Sequence, residues 1–252
     1  MKSSVLLLAL MLCLSAVSVA QTPGPVAVVN YAGYTGDFPV APGSIASAYG
    51  TFTGVATTSA STLSPMPKTL AGVSLKVNGV DAPLYFVSSS QINFVVPAAT
   101  PLDKQTVEVV QGGNVIARGT VKVFDIAPGL AQSDVQNTGQ GILQNQDFSI
   151  NSSAARAKRG EIIQIYATGC GATNPAITDG APPTTLSPAA ASVKAFIDVR
   201  EVGVQFAGAH PQFPGICQVN AAVPDIASIT GRVTLFITVN GVASNPVSFW
   251  VE

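Results

Sequence analysis

The chain repeats itself. Val26-Ala-Val-Val-Asn30 recurs as Gly141-Ile-Leu-Gln-Asn145, and Pro42-Gly-Ser-Ile-Ala-Ser-Ala-Tyr49 as Arg159-Gly-Glu-Ile-Ile-Gln-Ile-Tyr166. Gln91-Ile-Asn-Phe-Val-Val-Pro97 recurs as Gln218-Val-Asn-Ala-Ala-Val-Pro224. The turn at Gly112-Gly-Asn114, leading to Val121-Lys-Val123, matches Asn240-Gly241 leading to Val247-Ser-Phe249. The offsets are 115, 117, 127 and about 128 residues, so order is kept and only loops differ in length. Any fold for one half must therefore serve the other. The 252 residues divide into a leader (1–20) and two copies of one unit, 21–128 and 129–252, with Ile126-Ala-Pro-Gly129 and the polar run to Gln140 as linker.

Within each copy the apolar residues alternate with period two, as in Val73-Ser-Leu-Lys-Val77, Gln91-Ile-Asn-Phe-Val-Val96 and Arg118-Gly-Thr-Val-Lys-Val-Phe124. Side chains of a strand point alternately to its two faces, so this pattern predicts half-buried strands. Asn78-Gly79 and Asn240-Gly241 signal two-residue hairpins, whose central residues both need positive φ. No amphipathic helix of three turns is legible, and the Ala-rich stretch 188–196 is bounded by proline and strand-like residues. The expectation is an all-β chain of two tandem immunoglobulin-like β-sandwiches. Trp250, alternating with Phe and Val in the last strand, reads as a core residue.

Residues 1–20 (MKSSVLLLALMLCLSAVSVA) carry a basic Lys2, an apolar run Val5–Leu14 and a small-x-small site ending at Ala20. That is the layout of a secretory signal peptide cleaved near Ala20, and no later apolar run is long enough for a membrane helix. The expected destination is secreted, periplasmic or cell-surface, and the chain is not expected to be an integral membrane protein. The processed chain carries 11 basic and 13 acidic residues. With only 10% of residues charged and no basic stripe, nucleic acid is excluded as a partner.

Several motifs carry a family resemblance. Ala41-Pro-Gly-Ser-Ile, Leu70-Ala-Gly-Val-Ser-Leu-Lys-Val-Asn-Gly79, Ala82-Pro-Leu-Tyr-Phe-Val87, Gln91-Ile-Asn-Phe-Val-Val-Pro97, Ile126-Ala-Pro-Gly129, Ile165-Tyr-Ala-Thr-Gly169 and Gln218-Val-Asn220 resemble the C-terminal domain of secreted proteins of acidobacteria such as Solibacter. The resemblance covers about residues 24 to 252. It implies two lobes similar to IPT/TIG-type immunoglobulin-like domains and brings no activity, since that family has no known function.

Two cysteines remain after the leader, Cys170 and Cys217. At the repeat offsets they fall on Thr53 and Ser90, so one copy has both and the other neither. Paired gain or loss is the mark of a bridge, and an exported chain meets an oxidising compartment, so a Cys170–Cys217 disulfide is expected.

Candidate chemistry is sparse. The only histidine, His210, stands between Ala and Pro and reads as a loop residue, and there is no G-x-S-x-G elbow. No zinc ligand set occurs, and the aspartates are scattered at strand ends, so no metal and no cofactor are expected. Arg156-Ala-Lys158-Arg159 reads as a solvated loop. Asn151-Ser-Ser153 fits a glycosylation sequon and predicts an exposed loop.

What remains is aromatic. Tyr31, Tyr34 and Phe38 lie in one Gly-rich loop, and Phe213 in a comparable Pro-rich loop of the second copy. Exposed aromatics can stack on sugars or anchor a partner, while a Tyr beside a strand end can equally cap the core. The leading expectation is an exported non-enzymatic structural or adhesive module, its partner another cell-surface protein or a polysaccharide. The alternatives are a carbohydrate-binding module and a hydrolase with a carboxylate pair between the lobes.

Overall fold

The computed structural model describes residues 22–32, 39–133 and 139–252. The leader, Tyr34 and Phe38 lie outside the described residues. Among the described residues there are strands and turns but no helix, and none therefore is long and apolar enough to cross a membrane. The apolar side chains gather in two separate clusters, one within residues 26–123 and one within 130–251. Each cluster fills one immunoglobulin-like β-sandwich.

The two sandwiches pair their strands alike. In the first, Ile45–Gly50 lies between Gly24–Asn30 and Gln91–Val95, and Leu84–Val87 adds to the far side. In the second, Ile162–Thr168 pairs with Cys217–Ala222, which pairs with Val204–Ala209. The opposite layers are Val73–Val77, Asp103–Gln111 and Asn114–Val123 in one copy, and Val193–Ile197, Gly231–Val239 and Val247–Val251 in the other. Even the irregularities recur. Register slips between Leu84 and Phe86 in the first copy and between Val204 and Phe206 in the second, a bulge that turns an extra side chain outward in each.

The first strand of each copy joins the two layers. Gly24–Asn30 pairs antiparallel with Ile45–Gly50 and parallel with Asn114–Val123, so the first copy's strands form one continuous nine-stranded sheet. The parallel contact brings Gly119 against Val26, where a Cβ on Gly119 would stand 2.0 Å from the Val26 carbonyl oxygen. In the second copy the glycine is on the other strand: Gly141 faces Val247 and a Cβ there would meet the Val247 side chain at 2.8 Å. The same close approach is solved twice, once from each side.

The last strand shifts the repeat match and corrects two further expectations. Gly231 pairs with Val251 and Val233 with Phe249, as Asp103 pairs with Val123 and Gln105 with Val121. Val121-Lys-Val123 thus corresponds to Phe249-Trp-Val251, two residues beyond the match read from sequence. Trp250 occupies the outward position of Lys122. It is not core: Val247, Phe249 and Val251 are buried while Trp250 is half-exposed under the Arg156 guanidinium, 5.2 Å from the ring centroid. Asn151 is the second correction, since the sequon asparagine is buried instead of exposed. Its side chain donates to Asn145 Oδ1 and to the Trp250 carbonyl at 2.8 Å each, and accepts from the Trp250 amide at 2.7 Å. A glycan cannot be attached to an amide enclosed in this way.

Hairpins lie at equivalent places in both copies. Asn78-Gly79 corresponds to Asp198-Val199, and Gly112-Gly113 to Asn240-Gly241, with positive φ throughout. Val199 is the misfit: a β-branched residue at φ 64°, with 87% of its surface exposed and no packing to lose. The left-handed region costs an L-residue about 1–2 kcal/mol, offset by about 0.5–1 kcal/mol of glycine's extra chain entropy. Val199→Gly is therefore expected to stabilise by about 0.5–1 kcal/mol, seen as a higher urea midpoint at unchanged slope.

Candidate functional site

Ala127, at the start of the linker, is bound on both sides. Asn30 donates from Nδ2 to the Ala127 carbonyl at 2.9 Å, and the Ala127 amide donates to the Gly169 carbonyl at 3.0 Å. Thr168 ties the lobes directly: its Oγ1 accepts from the Ile45 amide and donates to the Gly215 carbonyl, each at 2.8 Å. Tyr85 OH adds a bond to the Pro214 carbonyl at 2.6 Å. These contacts hold the two lobes together, with Pro214 and Gly215 of the 210–216 loop bonded to Tyr85 of the first and Thr168 of the second.

A cleft of about 430 Å³ opens where the two faces meet. The first lobe supplies Tyr31, Tyr85 and Asn93; the second supplies Gln144 and Tyr166; the loop supplies Phe213. Tyr31 and Phe213, picked out from sequence in different copies, thus line one cavity. Tyr34 and Phe38 lie outside the described residues. Sequence reading missed Tyr85 and Tyr166, which look there like ordinary strand residues. The repeat held a signal for Tyr166: it pairs with Gln218 as Tyr49 pairs with Gln91, at outward positions in both copies.

The described lining of the cleft is uncharged. No Asp, Glu, Lys, Arg or His is among the described residues that line it. Asn93 accepts at Oδ1 from Ser47 at 2.9 Å and from Gln91 at 2.8 Å, and Gln144 accepts at Oε1 from Tyr166 OH at 2.5 Å. Those bonds fix each amide and leave its N–H₂ donors for a guest. Burial pushes the Tyr85 and Tyr166 hydroxyls above the ordinary phenol range, so both stay neutral donors at any physiological pH. Four aromatic faces and two oriented amides can hold a ligand that has apolar ring faces and many hydroxyls.

His210 lies behind this wall. It is buried, meets Tyr166 edge-on at 5.5 Å between ring centroids and packs at 4.8 Å against Phe213. Its Nδ1 accepts from the amides of Gln212 and Phe213 at 3.0 and 3.2 Å, which places the ring hydrogen on Nε2. The histidine therefore shapes the turn that presents Phe213. Burial lowers its pKa. A proton on Nδ1 would face two N–H donors, so the folded chain holds that proton less tightly than the unfolded one. Stability is then full above the ordinary value of about 6.5 and declines as pH falls below it, by at most about 1.4 kcal/mol per pH unit. Because the chain has one histidine, urea midpoints measured at pH 7.5 and 5.5 should differ for the native protein and much less for His210→Gln.

The remaining candidates lie elsewhere. Cys170 and Cys217 are joined in a disulfide with Cα atoms 6.2 Å apart, inside the second core. Arg156 and Lys158 are exposed, away from the cleft. Among the described residues no group of three or more His, Cys, Asp or Glu side chains is placed to hold a metal ion.

No protein-family model and no curated protein sequence matches the chain. Among solved structures it is similar to the Bacteroides ovatus mixed-linkage glucan utilization locus protein SGBP-B, in complex with a mixed-linkage heptasaccharide, at 12% identity and TM-score 0.34 over 85% of this chain and 42% of that one. It is also similar to the Escherichia coli adhesin FdeC, at 12% identity and TM-score 0.25 over 91% of this chain and 64% of that one. A tandem pair of titin immunoglobulin domains aligns at 7% identity and TM-score 0.23, over 92% of this chain and 98% of that one. The chain spans less than two thirds of the length of the first two. The strand pairing described above, and not these likenesses, defines its architecture.

Proposed function

We propose that the chain is an exported binding module that takes a neutral carbohydrate in the cleft between its lobes. One observation carries this reading: Tyr31, Tyr85, Tyr166 and Phe213 converge on a single cavity whose described lining holds no charge. Sugars offer the matching surfaces, C–H faces that stack on aromatic rings and hydroxyls that accept from amide N–H groups. An adhesive role is compatible with it, the glycan then being the adhesive target. A hydrolase using two carboxylates gains no support from the cleft, because its described lining contains none. The disulfide and the leader-like residues 1–20 support export.

The test is affinity electrophoresis and calorimetry against a panel of neutral polysaccharides, namely mixed-linkage glucan, xylan, galactomannan and starch. At least one is expected to retard the native protein. Phe213→Ala, at a residue 44% exposed, should weaken that binding tenfold or more, equivalent to about 1.4 kcal/mol. Tyr166→Ala should do the same. Failure of every polysaccharide to retard the native protein would overturn the reading.

A further inference from the structure

The internal repeat has a consequence for the ligand. The cleft takes Tyr85 and Asn93 from the first copy. Their structural equivalents in the second copy are Gln205, on the matching bulge, and Asn220, in the matching Gln-x-Asn segment. Gln205 and Asn220 also line a cavity, a groove of about 610 Å³ completed by Phe206, Gln218, Leu186 and Pro211. Duplication of the fold has placed a groove on the same sheet face of each copy.

The second groove has the chemistry of the first. No charged residue is among the described residues that line it. Gln218 donates from Nε2 to Asn220 Oδ1 at 2.8 Å, as Gln91 does to Asn93 in the first copy. That bond again orients an amide whose own N–H₂ donors no other side chain takes. Phe206 gives a half-exposed ring, and Leu186 is 73% exposed at the rim.

A row of side chains runs from one groove to the other. Gln144 pairs with Gln164, Gln164 with Asn220, and Asn220 with Phe206. These four outward side chains form one row across four adjacent strands. At about 4.8 Å per strand spacing the row is about 14 Å long. It begins in the cleft at Gln144 and ends in the second groove at Phe206, and Tyr166 and Gln218 form a parallel pair beside it.

We infer that the second groove is a further subsite for the same neutral glycan, so that the chain binds an extended polysaccharide running across the second lobe's sheet face and not a free mono- or disaccharide. This rests on the carbohydrate reading of the cleft and sharpens it by naming the ligand as a polymer held along its length. The amides of Gln164, Gln218 and Asn220 serve its hydroxyls, and Phe206 takes a ring face at the far end.

The experiment uses calorimetry with two- and six-unit oligosaccharides of whichever polysaccharide retards the native protein. The six-unit oligomer should bind at least tenfold more tightly than the two-unit one. Asn220→Ala should remove most of that gain and leave two-unit affinity unchanged, and Gln205→Ala, at an exposed bulge residue, should reduce it severalfold. Equal affinity for both lengths, or a six-unit affinity untouched by both substitutions, would overturn the inference and leave the cleft reading intact. Failure of every polysaccharide to bind removes both.

Discussion

Replacing Cys170 and Cys217 together with alanine should cost about 4 kcal/mol, and the loss should fall on the second lobe. The bridge closes a separation of 47 residues, and the loop-entropy relation gives about 4 kcal/mol for a loop of that size. Both sulfurs lie within the second core, where the bridge joins the chain just after Ile162–Thr168 to the first residue of Cys217–Ala222. The repeat supplies its own control. Thr53 and Ser90 stand at the equivalent sites, so the first lobe folds without a bridge. Hydrogen exchange can compare the amides of Cys217–Ala222 with those of Gln91–Val95, their counterparts. The former should lose protection by a factor of about 10³, the equivalent of 4 kcal/mol, and the latter far less. An equal loss in both strands would show that the bridge stabilises the chain by some route other than closing the second lobe's loop.

Much of this architecture was legible because strand periodicity and turn residues are local signals. The repeat, the Asn78-Gly79 and Asn240-Gly241 hairpins and the cysteine pair could all be read without knowing which strand lies beside which. Expectations failed where the answer depended on a distant partner. Alternation in Val247-Ser-Phe-Trp-Val251 says that Phe249 and Trp250 face opposite ways, but only the pairing with Gly231–Val239 says which faces inward. The sequon at Asn151 is a three-residue pattern, whereas its burial comes from the backbone of Trp250, 99 positions along the chain.

The site divides in the same way. Tyr31 and Phe213 were visible as aromatics in Gly- and Pro-rich loops, where an apolar ring has no local reason to be. Tyr85 and Tyr166 were hidden because a strand accepts tyrosine on either face. Their role emerges only when the outward faces of two separate sandwiches meet. His210 likewise reads as a loop residue until its Nδ1 is seen to hold two amides of the turn that carries Phe213.

That meeting of faces depends on one residue without a side chain. Gly169 has φ +73°, and a Cβ there would lie 1.9 Å from the Ala127 carbonyl oxygen and 2.6 Å from its carbon. Neither atom belongs to a flexible side chain, so the backbone itself must move. Gly169→Ala should therefore cost about 3–5 kcal/mol: about 0.5–1 for the left-handed conformation after glycine's entropy offset and the rest from the displaced junction. The Ala127–Gly169 hydrogen bond would be lost, at about 1–3 kcal/mol for a buried partner left unsatisfied, and the bonds that the neighbouring Thr168 makes to Ile45 and Gly215 would be strained. Gly160→Ala separates the two causes, since Gly160 has φ +81° and nothing within 4 Å of an added Cβ. It should cost only the conformational part less glycine's chain-entropy offset, about 0.5–1 kcal/mol. Urea unfolding of the two variants measures the difference. Binding should follow it, because the cleft exists only while Tyr31 and Tyr85 of one lobe are held opposite Tyr166 of the other. A Gly169→Ala protein no less stable than Gly160→Ala would mean that the lobes meet by contacts other than this crossing of the linker over Gly169.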